Sequence, residues 1–218
     1  MGLVQTGERQ IAEQLSGIKA NHIQRYRFAI ERIREHFDYE RDLTILDSAC
    51  GNGYGSHMLG LEGYNVIGVD VCPEAIECAR RAYGMQNVQY EVVDLDDEEA
   101  WPFYDNRFDA IVSIETIEHV RHDYSLISRF SSMTDFMIGT VPNQDVIPFS
   151  PEVHPFHLRH YTKEEFKNLL FSAGEFVVPD DGWYTQYDKI PGLVHQNDDG
   201  MGFIVAATRN PDKKGGRL

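Results

Sequence analysis

The stretch that most constrains this chain is DSACGNGYG, residues 47–55, which follows directly on the apolar run LTIL (43–46). A short apolar run ending in alternating glycines reads as a buried strand entering a tight turn, where the backbone lies open to close approach. The same layout recurs downstream. NVIGVD (65–70) and NVQYEVVD (87–94) each read as a strand that ends on an acid, and RFDAIVSI (107–114) and TDFMIGTV (134–141) read as two more. Helical stretches fall between them: SHMLGLEG (56–63) closed by Gly63, PEAIECARRAYG (73–84) opened by Pro73, and a short helix over 116–130. Strands alternating with helices predict a parallel sheet covered on both faces, a Rossmann-like three-layer αβα sandwich.

Around that centre, residues 8–37 carry apolar residues at helical spacing, and 1–40 is expected to form a helical cap. TKEEFKNLLFSAG (162–174) reads as a helix whose Thr162 and Glu165 form a capping box. EFVVPDDGWYTQYD (175–188) and GFIVAATR (202–209) read as late strands, 142–161 as an irregular loop rich in proline and histidine, and 210–218 as a flexible tail. No repeat or linker interrupts the chain, so a single domain over 1–218 is expected.

In an open parallel sheet, ligands bind beyond the carboxyl ends of the strands. There the chain places Asp47, Asp70 and Asp94 on successive strands, with Gly51, Gly53 and Gly55 in the first turn. Asp70, 19 residues after Gly51, is placed to accept from ribose hydroxyls, and Asp94 to reach an adenine amino group. A dinucleotide fingerprint would need glycine or alanine where Ser56 stands, and a pyrophosphate disfavours the carboxylate before the turn. A cationic sulfonium and an amino group favour it.

DSACGNGYG, the acid of VIGVD, VVDLDD and FDAIVSIETIEHV together resemble the successive motifs of class I S-adenosylmethionine-dependent methyltransferases. The resemblance spans about residues 20–208 and implies a seven-stranded, mostly parallel sheet with an antiparallel last strand. It implies S-adenosylmethionine as cofactor, with Gly51 and Gly53 beneath the methionine part and Asp70 on the ribose. Asp94 and Leu95 would flank adenine, and Ile114 and Glu115 would line the methyl end. Asp47, Ala49, Asn52 and Val71 join the cofactor set through the same motifs. His22, Arg25 and Tyr26 match an HxxRY segment that lies over the cofactor, and Arg25 is expected to fork onto the cofactor carboxylate.

Glu115, Glu118 and His119 stand at i, i+3 and i+4, one face of a helical turn beside the incoming methyl. Two carboxylates and an imidazole make a divalent-metal half-site, and HPFHLRHYT (154–162) offers further imidazoles. This pattern resembles small-RNA 2′-O-methyltransferases that use Mg²⁺ or Mn²⁺, ubiquinone-pathway O-methyltransferases, and methyltransferases of glycan gene clusters. By that match Glu115, Glu118, His119 and His157 are the metal ligands. Without metal, His119 or His157 would serve as general base beside Glu115; the pattern is equally compatible with Glu118 and His119 merely bracing the helix. Trp183, Tyr184 and Tyr187 read either as a stacking surface for a sugar or as packing, and DLDDEE (94–99) as a solvated turn.

Charge narrows the acceptor. Twenty Lys and Arg against 35 Asp and Glu leave a net −15, which repels polyphosphate backbones. A small-molecule or glycan acceptor is therefore expected rather than nucleic acid, and the reaction expected is O-methylation of a hydroxyl on a sugar, glycan intermediate or other diol. The competing expectations are RNA 3′-terminal 2′-O-methylation and a non-catalytic cofactor-binding subunit. No run approaches the roughly 18–20 apolar residues that span a bilayer, the N-terminus lacks a signal-peptide layout, and three cysteines form no disulfide framework. A cytoplasmic protein is expected; the oligomeric state cannot be read from the sequence.

Overall fold

The computed structural model describes residues 12–40, 42–99, 101–103, 107–186, 194–196 and 198–210. Helix α1 (Ala20–His36) leads into strand β1 (Thr44–Ser48), helix α2 (Tyr54–Leu61), strand β2 (Asn65–Asp70), helix α3 (Pro73–Tyr83) and strand β3 (Val88–Val92). Strand β4 (Ala110–Ser113), helix α4 (Asp123–Met133), strand β5 (Phe136–Pro142) and helix α5 (Lys163–Gly174) follow. Among the described residues four further strands follow: β6 (Phe176–Val177), β7 (Trp183–Gln186), β8 (Val194–His195) and β9 (Gly202–Arg209).

The sheet runs β3-β2-β1-β4-β5-β9-β7-β8, with β6 also paired to β9. Strands β1 to β5 are mutually parallel, and β9 enters antiparallel beside β5. The expected seven-stranded sheet with a reversed last strand is thus present as β3-β2-β1-β4-β5-β9-β7, and the two-residue strands β6 and β8 add to it. Successive strand residues feed opposite layers, as a sheet covered on both sides requires. Ile45 and Val112 pack with Ile33, Leu59 and Ile76 of α1, α2 and α3, whereas Leu46 and Ile111 pack with Ile127, Phe130 and Leu170 of α4 and α5. Strand order reverses at β1, where Ser48 pairs with Ser113 of β4, so the crevice for a ligand opens beyond these two strand ends.

Local signals set most helix ends. Pro73 opens α3, and Thr162 and Glu165 exchange both bonds of the capping box at α5. Two helical readings need correction. The 8–37 helix is broken: a 3₁₀ turn at Leu15–Gly17 precedes α1, and residues 8–11 lie outside the described part. That bend frees the Ala12 carbonyl to accept from Asn52 Nδ2 and Tyr83 Oη, both at 2.8 Å. The helix over 116–130 is instead a 3₁₀ turn at Ile117–His119 followed by α4. Glu115 takes a left-handed φ of 52°, which breaks the helical phase before the turn begins. Of the tail at 210–218, only Asn210 is described; its N–H donates to the Glu175 carbonyl at 2.9 Å.

Candidate functional site

An open cleft lies at the switch point, about 980 Å³ with its mouth included. Ala49, Gly51, Asp70, Val71, Asp94 and Leu95 line it from the ends of β1, β2 and β3. Ile114, Glu115 and His119 line it from the segment after β4, and His22 and Tyr26 from α1. Gly51 has φ +57°, and a Cβ there would meet no atom within 4 Å: it would project into ligand space. Ala49 adopts the same left-handed region at φ 57° despite its side chain, so strain sits at the ends of both switch-point strands. The Asp70 carboxylate accepts from Gly51 N at 3.1 Å and Cys72 N at 2.9 Å, which ties the glycine turn to the end of β2. Asp94 Oδ1 accepts from Asp96 N at 2.9 Å.

Four expected cofactor residues stand behind the cleft wall. Asp47 is fully buried, and its carboxylate accepts from Tyr26 Oη at 2.9 Å and Ser56 Oγ at 2.6 Å. Burial pushes its pKa up to about 7, reinforced by Asp70 and opposed by those two hydroxyls. Asn52 is spent on Ala12, and Gly53 (φ +88°) is required by packing, since a Cβ there would lie 2.6 Å from Ala79 and 2.8 Å from Tyr90. Arg25 does not reach into the open cleft. Its Nε donates to Gln186 Oε1 at 2.8 Å, and its guanidinium pairs with Glu115 at 3.3 Å.

Glu115 is therefore already engaged. Its Oε1 accepts from Thr140 Oγ1 at 3.1 Å and its N–H donates to the same oxygen at 2.8 Å. Burial pushes the Glu115 carboxyl up, but Arg25, with His22 and Thr140, outweighs it and holds the carboxyl below the usual range. The expectation that Glu115, Glu118 and His119 share one helical face is corrected by the left-handed residue and the 3₁₀ turn. The group that the fold does bring together is Glu118, His119 and His157, with one ligand atom from each all within 4.8 Å of one another. Glu118 is 0% exposed and neither carboxylate oxygen has a hydrogen-bond partner. Burial and then Glu115 drive its pKa well above normal. His119 Nδ1 donates to the Phe156 carbonyl at 2.8 Å, and its Nε2 stands 4.0 Å from Glu118 Oε1. Burial, then His119 and His160, pull His157 down to about 4, so it is neutral at pH 7.

Against this geometry stand the relatives. A family model described as "Methyltransferase domain" matches residues 45–134. Residues 45–134 therefore match a methyltransferase domain. It is 32% identical over 119 residues to "Ubiquinone biosynthesis O-methyltransferase" of Rickettsia bellii, covering 53% of this chain and 45% of that protein. It is 28% identical over 180 residues to a "Probable S-adenosylmethionine-dependent methyltransferase" of Mycobacterium tuberculosis, covering 79% of this chain and 61% of the other. The chain thus spans less than two thirds of the length of either relative. Magnesium protoporphyrin IX methyltransferase from Synechocystis, in a crystal structure with bound S-adenosylmethionine, has the same fold at TM-score 0.62 and 16% identity, over 87% of this chain and 80% of that one.

The cleft fits S-adenosylmethionine, the molecule bound in the Synechocystis structure. The unobstructed Gly51 gives the close approach, and Asp70, Asp94, Asp96 and Glu115 surround the space with carboxylates suited to a sulfonium and an amino group. Several lining or supporting residues carry no sequence signal. Asp96, read as part of a solvated turn, lines the cleft and accepts from the N–H groups of Arg121 and His122. Gln186 and Thr140 orient Arg25 and Glu115 from strands distant in sequence. Trp183 is core, against Phe166 and Phe203, Tyr184 packs on Phe28, and Tyr187 lies outside the described residues.

Proposed function

We propose that this chain transfers the methyl group of S-adenosylmethionine to a hydroxyl oxygen of a small diol-type acceptor, such as a sugar or glycan intermediate, and that a divalent cation assists. The observation that carries this reading is Glu118: a buried carboxylate without a hydrogen-bond partner, beside two imidazoles. A carboxylate this deep is costly unless a proton or a cation neutralises it. Glu118, His119 and His157 would hold the cation, and their mixed oxygen and nitrogen set suits Mn²⁺ better than Mg²⁺. Bound there, the metal would lower the pKa of an acceptor hydroxyl and orient it. His157 is the weaker candidate for a metal-free base, because at about 4 it binds a proton too poorly to remove one from a hydroxyl.

In this reading Asp70 and Asp94 hold the nucleoside, and the acidic wall keeps the sulfonium against the ends of β1 and β4. Bound there, S-adenosylmethionine would supply the methyl group, with the oxygen–carbon bond forming as the carbon–sulfur bond breaks, the hydroxyl proton passing to solvent and S-adenosylhomocysteine leaving. The Rickettsia relative, named as an O-methyltransferase, supports an oxygen acceptor. The net charge of −15 favours a small acceptor over RNA. A cytoplasmic location is part of this proposal; among the described residues no helix is long and apolar enough to cross a membrane.

The test is incubation with methyl-labelled cofactor and fractionated lysate, with chelator and then with Mn²⁺ or Mg²⁺ restored. Label should enter a hydroxylated small-molecule pool, vanish in chelator and return with metal. Full labelling in chelator would remove the metal, label at an RNA 3′ end would redirect the acceptor, and cofactor binding without transfer to any pool would leave a non-catalytic subunit.

A further inference from the structure

His160 lies three residues beyond His157, lines no part of the cleft, and is only 6% exposed. Its Nδ1 is 2.6 Å from the Ile147 carbonyl, and its Nε2 is 2.8 Å from His157 Nδ1. A carbonyl only accepts, so His160 Nδ1 carries the hydrogen. A neutral imidazole that donates from Nδ1 has only an acceptor at Nε2. His160 Nε2 is then the acceptor, His157 Nδ1 the donor, and His157 Nε2 is left as a bare lone pair. The chain of bonds ends on Ile147 in the same way that the single bond of His119 ends on Phe156. Both rings of the Glu118 group therefore have their tautomers set by carbonyls of the 142–161 loop.

We propose that His160 is a positioning residue, which hangs from the Ile147 carbonyl and locks His157 in the Nδ1–H tautomer so that Nε2 is the nitrogen offered beside Glu118 and His119. The consequence for function rests on the metal reading above, since a ligand ring must present a lone pair in one fixed orientation. Partners that orient a ligating imidazole typically carry a 10- to 100-fold effect on metal affinity. The sequence spacing H-x-x-H alone does not assign this role; the two distances do.

The experiment uses full-length, metal-free protein labelled with ¹⁵N-histidine at neutral pH, its nine histidines assigned by single substitutions. Wild type should show His157 protonated on Nδ1 and a ¹⁵N–¹⁵N coupling through the hydrogen bond to His160. His160→Gln should preserve the tautomer, because the amide offers one acceptor and one donor on neighbouring atoms, as the neutral ring does. His160→Leu should shift His157 to a mixture. Mn²⁺ titration should follow the same order, weakened about 10- to 100-fold in the leucine variant and recovered in the glutamine variant. Absence of the coupling, an unchanged tautomer in His160→Leu, or a glutamine variant as impaired as the leucine one would overturn the assignment. Should His160→Leu not fold, the wild-type coupling and the glutamine variant decide. Wild type with the expected tautomers but no affinity for Mn²⁺ upholds the role of His160 and defeats the metal reading instead.

Discussion

Asp70 and Asp47 are both acids at strand ends, yet the fold gives them different work. Asp70 reaches the cleft while bracing Gly51 and Cys72 through its two oxygens. Asp70→Ala removes a charged acceptor, and each hydrogen bond to a charged group contributes about 1.5–3 kcal/mol. Cofactor affinity by calorimetry should therefore fall at least about tenfold; an unchanged affinity would remove the ribose assignment. Asp47 never touches the cleft, and its effect is on stability. Its folded pKa of about 7 exceeds the ordinary 3.8. The protonated form is favoured in the fold, so its contribution is full below about pH 4 and is lost as pH rises to about 7, at about 1.4 kcal/mol per unit in full. Asp47→Asn cannot ionise. Its stability relative to wild type, from urea denaturation, should rise by more than about 1 kcal/mol between pH 5 and pH 8; parallel pH curves would contradict the burial argument. Asp70 is legible from its spacing to Gly51. The inward turn of Asp47 is not, because it depends on Tyr26 crossing over from α1.

Helix α2 starts under Tyr26 only because residue 55 has no side chain. A Cβ on Gly55 would lie 1.9 Å from Tyr26 Cζ. Overpacking of this kind typically costs about 1–3 kcal/mol, and each kcal/mol lowers the melting temperature of a chain this size by about 2–4 °C. Gly55→Ala should therefore melt lower and also bind cofactor less tightly, as Tyr26 is pushed from its place over the cleft; a thermal scan and calorimetry check both. At this scale the sequence reads well where the signal is local. The capping box of α5 needs only Thr162 and Glu165, and α3 only Pro73 and its periodicity. It reads badly at Glu115, whose left-handed backbone is held by Thr140 from the neighbouring strand. Helical spacing then mispredicts which of Glu115, Glu118 and His119 act together.

The whole molecule converges on the β1–β4 crevice. Helix α1 closes over it through His22 and Tyr26, while β7 reaches Arg25 through Gln186 from 161 residues away. Binding the cofactor should stabilise all of these elements at once. At about 100 times the dissociation constant the gain is about 2.7 kcal/mol, a rise in melting temperature of roughly 5–10 °C. S-adenosylmethionine should produce that rise and a nicotinamide dinucleotide should not; the reverse result would show that the cleft is built for another cofactor. What the sequence determined by itself is the strand–helix alternation, the glycine turn, the acids at the strand ends and the helix caps, because each depends on residues within a few positions along the chain. What only the tertiary structure decided is which acids face the cleft, that Glu115 belongs to Arg25, and that Glu118 meets His119 and His157. Those pairings join segments far apart in sequence, and only the strand order and the packing of the 142–161 loop against the turn after β4 bring them within bonding distance.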